Sequence, residues 1–250
     1  MFVHGYAEHM GRYESLIQEL LEAGYSAVAY DQRGHGTSQG HRCLLPSYET
    51  MVDDLALAVK ALRPQSGPFF LFGHSMGGGL LAHYAARPNI PADGLIFSSA
   101  ALALADPPDF LLRQISRLAA RLLPRGPVPK IFYNLDAKAI SRLPEEVRKY
   151  DTDPLVYRGP ILNRTAWEMV RLVEEITPRF ELIRLPHLIL HGEADRLTSV
   201  EGSQELARES GAKESLLKTY ENGYHELFND SCRQEVTADL LAWLDVRSSK

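Results

Sequence analysis

The sequence is poor in cysteine: Cys43 and Cys232 are the two in 250 residues. Two thiols give no disulfide framework and no metal-ligand spacing, so a stapled secreted scaffold and a zinc module are both excluded. No stretch approaches the roughly 18 consecutive apolar residues of a membrane-spanning helix. The N-terminus has no basic region followed by an apolar run, which excludes a secretory signal of the usual design. Positive charge is not in excess either. The formal net charge is −5 and the sequence pI about 6.0, so the broad basic face of a dedicated nucleic-acid binder is missing. Neither an internal repeat nor a low-complexity tract interrupts the chain. These absences point to a cytoplasmic globular protein without a nucleic-acid partner.

What is present is ordinary core material. Hydrophobic residues make up 45% and charged residues 24%, enough for one large domain or one domain carrying an insertion. The first hundred residues alternate helix and strand signals. Tyr13, Leu16, Ile17, Leu20 and Leu21 recur at helical spacing, with Gly24 as a stop. Tyr25 to Tyr30 (YSAVAY) reads as a strand, and Asp31 to Gly40 as a turn-rich loop. Met51, Leu55, Val59 and Leu62 mark a second helix. Phe69 to Phe72 is a buried strand, followed by a helix through Ala86 and another strand at Leu95 to Phe97.

Residues 101–184 then carry helical periodicity and prolines without a convincing strand. Alternation resumes with His187 to Leu190, a helix near Ser203 to Arg208, a strand at Leu216 to Tyr220, and a last helix bearing Val236, Leu240 and Leu244. Strands alternating with helices predict an α/β fold, a mostly parallel sheet with helices on both faces. The expected division is a core of residues 1–100 and 185–250, interrupted by a helical cap over 101–184.

Gly73-His74-Ser75-Met76-Gly77 fits G-x-S-x-G, between an apolar strand and a helix-forming run. That setting is what a strained nucleophile turn requires. The glycines leave room for a tight turn that holds the Ser75 hydroxyl clear of the sheet. A serine hydroxyl needs a base within hydrogen-bond reach. His225 lies in a loop just after a predicted strand, and Asp195 just past the strand at His187 to Leu190. Ser75, Asp195 and His225 follow a nucleophile–acid–base order found in parallel-sheet hydrolases. Glu193 is the rival acid, and Asp195 is preferred because it lies further into its loop. The oxyanion needs two donors, for which the backbone N–H groups of Met76 and Tyr6 are the candidates. His35 is read as a structural turn residue and Asp31 as a loop-shaping one, not as a metal ligand and a catalytic acid.

Longer motifs now carry a resemblance. HGYAEHMGRY at 4–13, DQRGHGTSQG at 31–40, GHSMGG at 73–78, YDTDPL at 150–155, HGEADRLTS at 191–199 and YENGYHELFND at 220–230 resemble the monoacylglycerol lipase and lysophospholipase-like branch of the α/β hydrolases. The resemblance implies a capped α/β-hydrolase fold, hydrolysis of single-chain lipid esters and no cofactor or metal. It puts Ser75, Asp195 and His225 on the triad and Tyr6 and Met76 on the oxyanion donors. Family members begin with about two more strands, whereas only Met1, Phe2 and Val3 precede the His-Gly loop here. The N-terminal strands therefore read as truncated, with the segment at Tyr25 to Tyr30 expected at an exposed sheet edge and stability expected to suffer.

Residues 109–123 place Leu111, Ile115, Leu118 and Leu122 on one helical face and Arg113, Arg117 and Arg121 on another, with Arg125 nearby. Two readings stay open. One is a cap helix packed on the core with a solvated charged face. The other is a lid whose leucines and isoleucine meet the acyl chain and which touches lipid, giving peripheral membrane association. The same machinery would also serve a thioesterase, a short-chain esterase or an aminopeptidase-like enzyme. A non-catalytic binding protein on a hydrolase scaffold is the remaining alternative.

Overall fold

The computed structural model describes residues 1–105, 107–129 and 136–248. Five parallel strands form one sheet in the order β1-β2-β3-β4-β5. They are β1 (Phe2–Val3), β2 (Phe70–His74), β3 (Gly94–Ser98), β4 (His187–Gly192) and β5 (Ser215–Tyr220). Every neighbouring pair is parallel, so each connection must cross over a face of the sheet. The crossovers carry helices α1 (Glu14–Glu22), α2 (Tyr48–Leu62), α3 (Met76–Ala85), α4 (Phe110–Leu122), α5 (Pro144–Thr152), α6 (Asn163–Ile176) and α7 (Val200–Glu209), and α8 (Arg233–Ser248) follows the last strand.

Side-chain alternation along the strands divides the core in two. Leu71, Leu95, Phe97 and Ile189 face one layer with Leu55 and Val59 of α2, Leu80 of α3 and Leu206 of α7. Phe72, Ile96, Leu188 and Leu190 face the other, with Leu16 and Leu20 of α1 and Leu240 and Trp243 of α8. This is the α/β arrangement, a parallel sheet with helices on both faces, that the alternating pattern predicts. Most elements fall where periodicity puts them: the α2 side chains Met51, Leu55 and Val59 are all buried, and Ser47 caps the helix by accepting from Thr50 N–H at 3.1 Å.

One predicted strand is not there. Tyr25 to Tyr30 runs extended beside β1 but forms a single bridge, Ala29 to Phe2, with Phe2 N–H donating to Val28 O at 2.9 Å. The apolar pattern is sound; the ladder is missing because β1 is two residues long and offers it no further partners.

The interval between β3 and β4 holds α4, α5 and α6 and no named strand among its described residues. Its last part is continuous with the core. Leu172, Ile176 and Phe180 join the layer beneath α2 and α3, and His83 on α3 shares a 2.8 Å hydrogen bond with Leu172 O. Arg171 on α6 pairs with Glu168, with Glu175 and with Glu49 of α2, and lies over the Tyr48 ring. Helix α4 behaves differently. Its Ala120 is buried toward the protein, and Arg113 pairs with Glu174 of α6 at 2.8 Å. Its apolar stripe faces solvent: Leu111 is 67% and Leu122 66% exposed, with Phe110, Ile115 and Leu118 also exposed. The expectation of an ordinary helix packed by its apolar face is thus overturned, because the small Ala120 and the Arg113 pair make the contact with α6 instead.

Because Leu172 packs in the main core, Leu172→Ala should destabilise the whole fold by about 2–5 kcal/mol. A urea denaturation series reads this, and a loss well under 1 kcal/mol would show that α6 is not part of the cooperative unit.

Candidate active site

Strand β2 ends at His74 and helix α3 begins at Met76, so one residue makes the turn between them. Ser75 adopts φ +51°, ψ −122°, in a region that L-residues seldom occupy. The turn is possible because glycines flank it. A Cβ on Gly73 would come within 2.7 Å of Gly77 O, and one on Gly77 within 2.2 Å of Val3 O and 2.4 Å of His4 O. Backbone bonds lock the turn: Ser75 N–H donates to Ser98 O at 3.0 Å, and Ser75 O accepts from Gly79 and Ala101 N–H at 3.1 and 2.9 Å.

Ser75, Asp195 and His225 come together although 150 residues separate the first from the last. Ser75 Oγ donates to His225 Nε2 at 2.9 Å, and His225 Nδ1–H donates to Asp195 Oδ2 at 2.7 Å. Asp195 lies beyond β4 and His225 beyond β5, both at the end of the sheet where Ser75 stands. The Asp195 carboxylate is held on every side. Leu197 N–H and Thr198 N–H donate to Oδ1 at 2.7 and 3.1 Å, and Thr198 Oγ1–H donates to Oδ2 at 2.8 Å. Glu193, the rival acid, is exposed and accepts instead from Thr219 Oγ1 at 2.6 Å.

Electrostatics follow from this packing. Burial works against the Asp195 charge, but the His225 ring, His191 and the Leu197 N–H outweigh it and hold the carboxyl well below the usual carboxylate range. Burial would push the His225 imidazole down. The Asp195 charge and hydrogen bond more than offset that, with Glu226 and Glu8 adding to the effect, and His225 is raised. His74 stacks beside His225 with ring centroids 4.8 Å apart, and its own burial keeps it well below the usual histidine range. One imidazole of the pair is thereby set to take a proton and the other is not.

The His4-Gly5-Tyr6 loop runs against Ser75: a Cβ on Gly5 would lie 3.1 Å from Ser75 Cβ. Gln32 N–H donates to His4 Nε2 at 2.9 Å, which leaves the proton on Nδ1, and Nδ1–H donates to Gly5 O at 2.7 Å. Burial lowers His4 to about 3, so the ring stays neutral in this role. With Gly5 O fixed by His4, the trans peptide turns the Tyr6 N–H to the opposite side. Met76 N–H is the first amide of α3, at the positive end of the helix dipole. Asp31 receives Met10 N–H at 2.9 Å and Thr37 N–H at 2.8 Å, the work of a loop-shaping residue. His35 is buried and bonded at Nδ1 to Arg33 O at 3.0 Å.

The fold and this site define an α/β hydrolase of the serine kind. The chain belongs to the Hydrolase_4 family (serine aminopeptidase, S33), whose model matches residues 1–232. It is 34% identical over 246 residues to a monoacylglycerol lipase of Mycolicibacterium smegmatis, covering 98% of this chain and 86% of that protein. A monoglyceride lipase of Rattus norvegicus is 33% identical over 241 residues, covering 95% and 78%. The crystal structure of the Paleococcus ferrophilus monoacylglycerol lipase superposes with a TM-score of 0.88 at 32% identity, covering 99% of this chain and 93% of that one. A soluble variant of the Saccharomyces cerevisiae monoglyceride lipase, solved in complex with a substrate analog, gives 0.83 at 25% identity, covering 98% and 86%.

Sequence reasoning passed over Thr198, whose hydroxyl contacts the same carboxylate oxygen as His225. Its place three residues after Asp195 is a spacing at which a side chain can fold back onto the acid. Thr198→Val should lower kcat/KM about ten- to a hundredfold, the worth of a hydrogen bond to a buried charge, and Thr198→Ser should restore most of it. Equal rates for Thr198→Val and the parent enzyme would show the contact to be idle.

Proposed function

We propose that this protein hydrolyses the carboxylic esters of single-chain lipids, monoacylglycerols above all, through an acyl-enzyme intermediate. The enzyme is a carboxylic ester hydrolase. The observation that carries the mechanistic reading is the unbroken relay from Ser75 Oγ through His225 to the buried Asp195 carboxylate. The named substrates of the relatives favour monoacylglycerol over lysophospholipid.

Ser75 is the nucleophile. Its Oγ attacks the ester carbonyl while His225 Nε2 takes the hydroxyl proton. The carbonyl oxygen becomes an oxyanion held by the N–H groups of Tyr6 and Met76. Asp195 fixes the imidazole tautomer and stabilises the imidazolium. Collapse of the tetrahedral species breaks the bond to the glycerol oxygen, which leaves with the proton from His225. Water then attacks the acyl-enzyme, its proton passing to His225, and the fatty acid departs as Ser75 recovers its hydrogen. Only neutral His225 can accept the proton, so kcat/KM falls as pH drops through the raised value of that imidazole.

Helix α4 is the lid in this reading, and residues 101–184 the inserted cap, with α6 as its root. The outward stripe of Leu111, Ile115, Leu118 and Leu122 fits a lipid surface, and exposed Arg117 and Arg121 suit anionic headgroups beside it. No helix among the described residues is long and apolar enough to cross a membrane, so association would be peripheral.

Ser75→Ala should lose about 10⁴–10⁶ in turnover of a monoacylglycerol and all labelling by a fluorophosphonate probe; a loss of only about tenfold would mean that the nucleophile is another residue. A panel with lysophospholipids, short p-nitrophenyl esters and aminoacyl amides ranks the substrates. Replacing Leu111, Leu118 and Leu122 together with serine should weaken co-sedimentation with vesicles containing anionic lipid at least several-fold while hydrolysis of a short soluble ester persists. Unchanged sedimentation would remove α4 from the lipid contact.

A further inference from the structure

Beside the loop that carries His225 lie three charged side chains that the reaction as described does not use. Glu8, Arg12 and Glu226 line a small cleft with Tyr13 and His74. All three are buried: Glu8 is 4% and Glu226 5% exposed, and the Arg12 side chain 5%. The Arg12 guanidinium pairs with Glu226 and lies 3.7 Å from Glu8 Oε2. Burial and the Glu226 charge push the Glu8 carboxyl up to about 7 against the pull of Arg12, so the lasting ion pair of the cluster is Arg12 with Glu226. Burial of such a group is a weak source of stability, since a well-packed apolar set of the same volume often does as well or better. Stability alone therefore gives this arrangement no clear reason.

Its connections supply one. Glu8 Oε1 accepts from Gly5 N–H at 2.5 Å and from Tyr13 OH at 2.8 Å, so it pins the amide just before the Gly5–Tyr6 peptide. Glu226 directly follows His225. Its own N–H donates to Ile140 O at 2.7 Å, and its Oε2 also accepts from Asn229 Nδ2 at 2.9 Å. Arg12 thus bridges two loops 214 residues apart, one carrying Tyr6 and the other His225.

We propose that Glu226 is a positioning residue for ester hydrolysis: through Arg12 and Glu8 it ties the loop bearing His225 to the loop bearing Tyr6, and its charge steadies the imidazolium that His225 becomes. The inference rests on Ser75 and His225 being the nucleophile and base. His225 is faced by Asp195 and His191 from β4 and its following loop, by His74 from β2, and by Glu8 and Arg12 from the N-terminal segment. His74 and His191 are both kept low by burial and stay neutral. Burial and the neighbouring Glu226 charge push the Glu8 carboxyl up to about 7, so the fixed charges around the base are the Asp195 and Glu226 carboxylates and the Arg12 guanidinium, and Glu226 is the carboxylate on the base's own loop. Glu226 and Glu8 both act to raise His225.

The experiment is the pH profile of kcat/KM for a short p-nitrophenyl ester with Glu226→Gln, which keeps the shape and an acceptor for Arg12 but removes the charge. Removing a negative charge beside the base makes the imidazolium easier to deprotonate. The acid limb should move to lower pH by about half to one unit, and the plateau should fall up to about tenfold as the ion pair with Arg12 weakens to a neutral hydrogen bond. An acid limb at the parental pH overturns the proposal, whether the plateau is kept (Glu226 is inert) or lost together with the melting temperature (Glu226 is merely structural). Glu226→Asp keeps the carboxylate on a shorter arm and should hold the acid limb at the parental pH while the plateau falls; a limb that moves with Glu226→Asp as it does with Glu226→Gln overturns the assignment to charge. Active enzyme is counted in each case by fluorophosphonate titration. Full turnover by Ser75→Ala would sink the underlying assignment of Ser75 as nucleophile, a failure separate from an unmoved acid limb.

Discussion

The rest of the site depends on one close approach of backbone to backbone. The first turn of α3 presses against the end of β1, and Gly77 sits where any side chain would strike the carbonyl oxygens of Val3 and His4. That contact sets the angle at which α3 leaves the sheet. The angle places Ser75 at the top of β2 and brings the His4-Gly5-Tyr6 loop beside it. A displacement of about an ångström here would part Ser75 from the His4-Gly5-Tyr6 loop, and groups that act together work only when pre-arranged. This contact is backbone against backbone, and it lies directly beneath Ser75.

From that point the site is assembled by polar side chains that fix other polar groups. His4 holds the Gly5 carbonyl and is itself held by the Gln32 amide. Thr198 holds the acid. Asp31 draws Met10 and Thr37 together and so shapes the loop that supplies Gln32. Burial keeps His4, His74 and His191 in their neutral forms, in which one nitrogen donates and the other accepts. The protein has nine histidines, and the one raised among those described in the site is the one bonded to Asp195. Environment, not residue type, separates the base from the struts.

Much of this was legible in the sequence for physical reasons. Parallel strands buried on both faces read as short apolar runs, and Phe69 to Phe72 and His187 to Leu190 announce themselves that way. G-x-S-x-G is legible because its glycines answer a steric demand of the turn. Asp195 and His225 were found from chain order and from their loops beyond strands. Three features were not accessible. The segment Tyr25 to Tyr30 has strand composition, yet a ladder needs a partner of matching length, and pairing is a non-local property. Helix α4 displays a clear amphipathic period, but period does not say which face turns inward. Leu111 and Leu122 look outward because Ala120 and the Arg113–Glu174 pair occupy the interface with α6. The Glu8–Arg12–Glu226 cluster joins residues at opposite ends of the chain, and no local pattern announces such a meeting.

The backbone of Ser75 carries one last implication. Its φ of +51° is a conformation in which a side chain of any kind is a burden of about 1–3 kcal/mol, and glycine alone would sit there at ease. A sequence optimised for folding would therefore write glycine at position 75. That serine stands there instead leaves strain stored at the turn between β2 and α3, in the residue whose hydroxyl meets His225 Nε2.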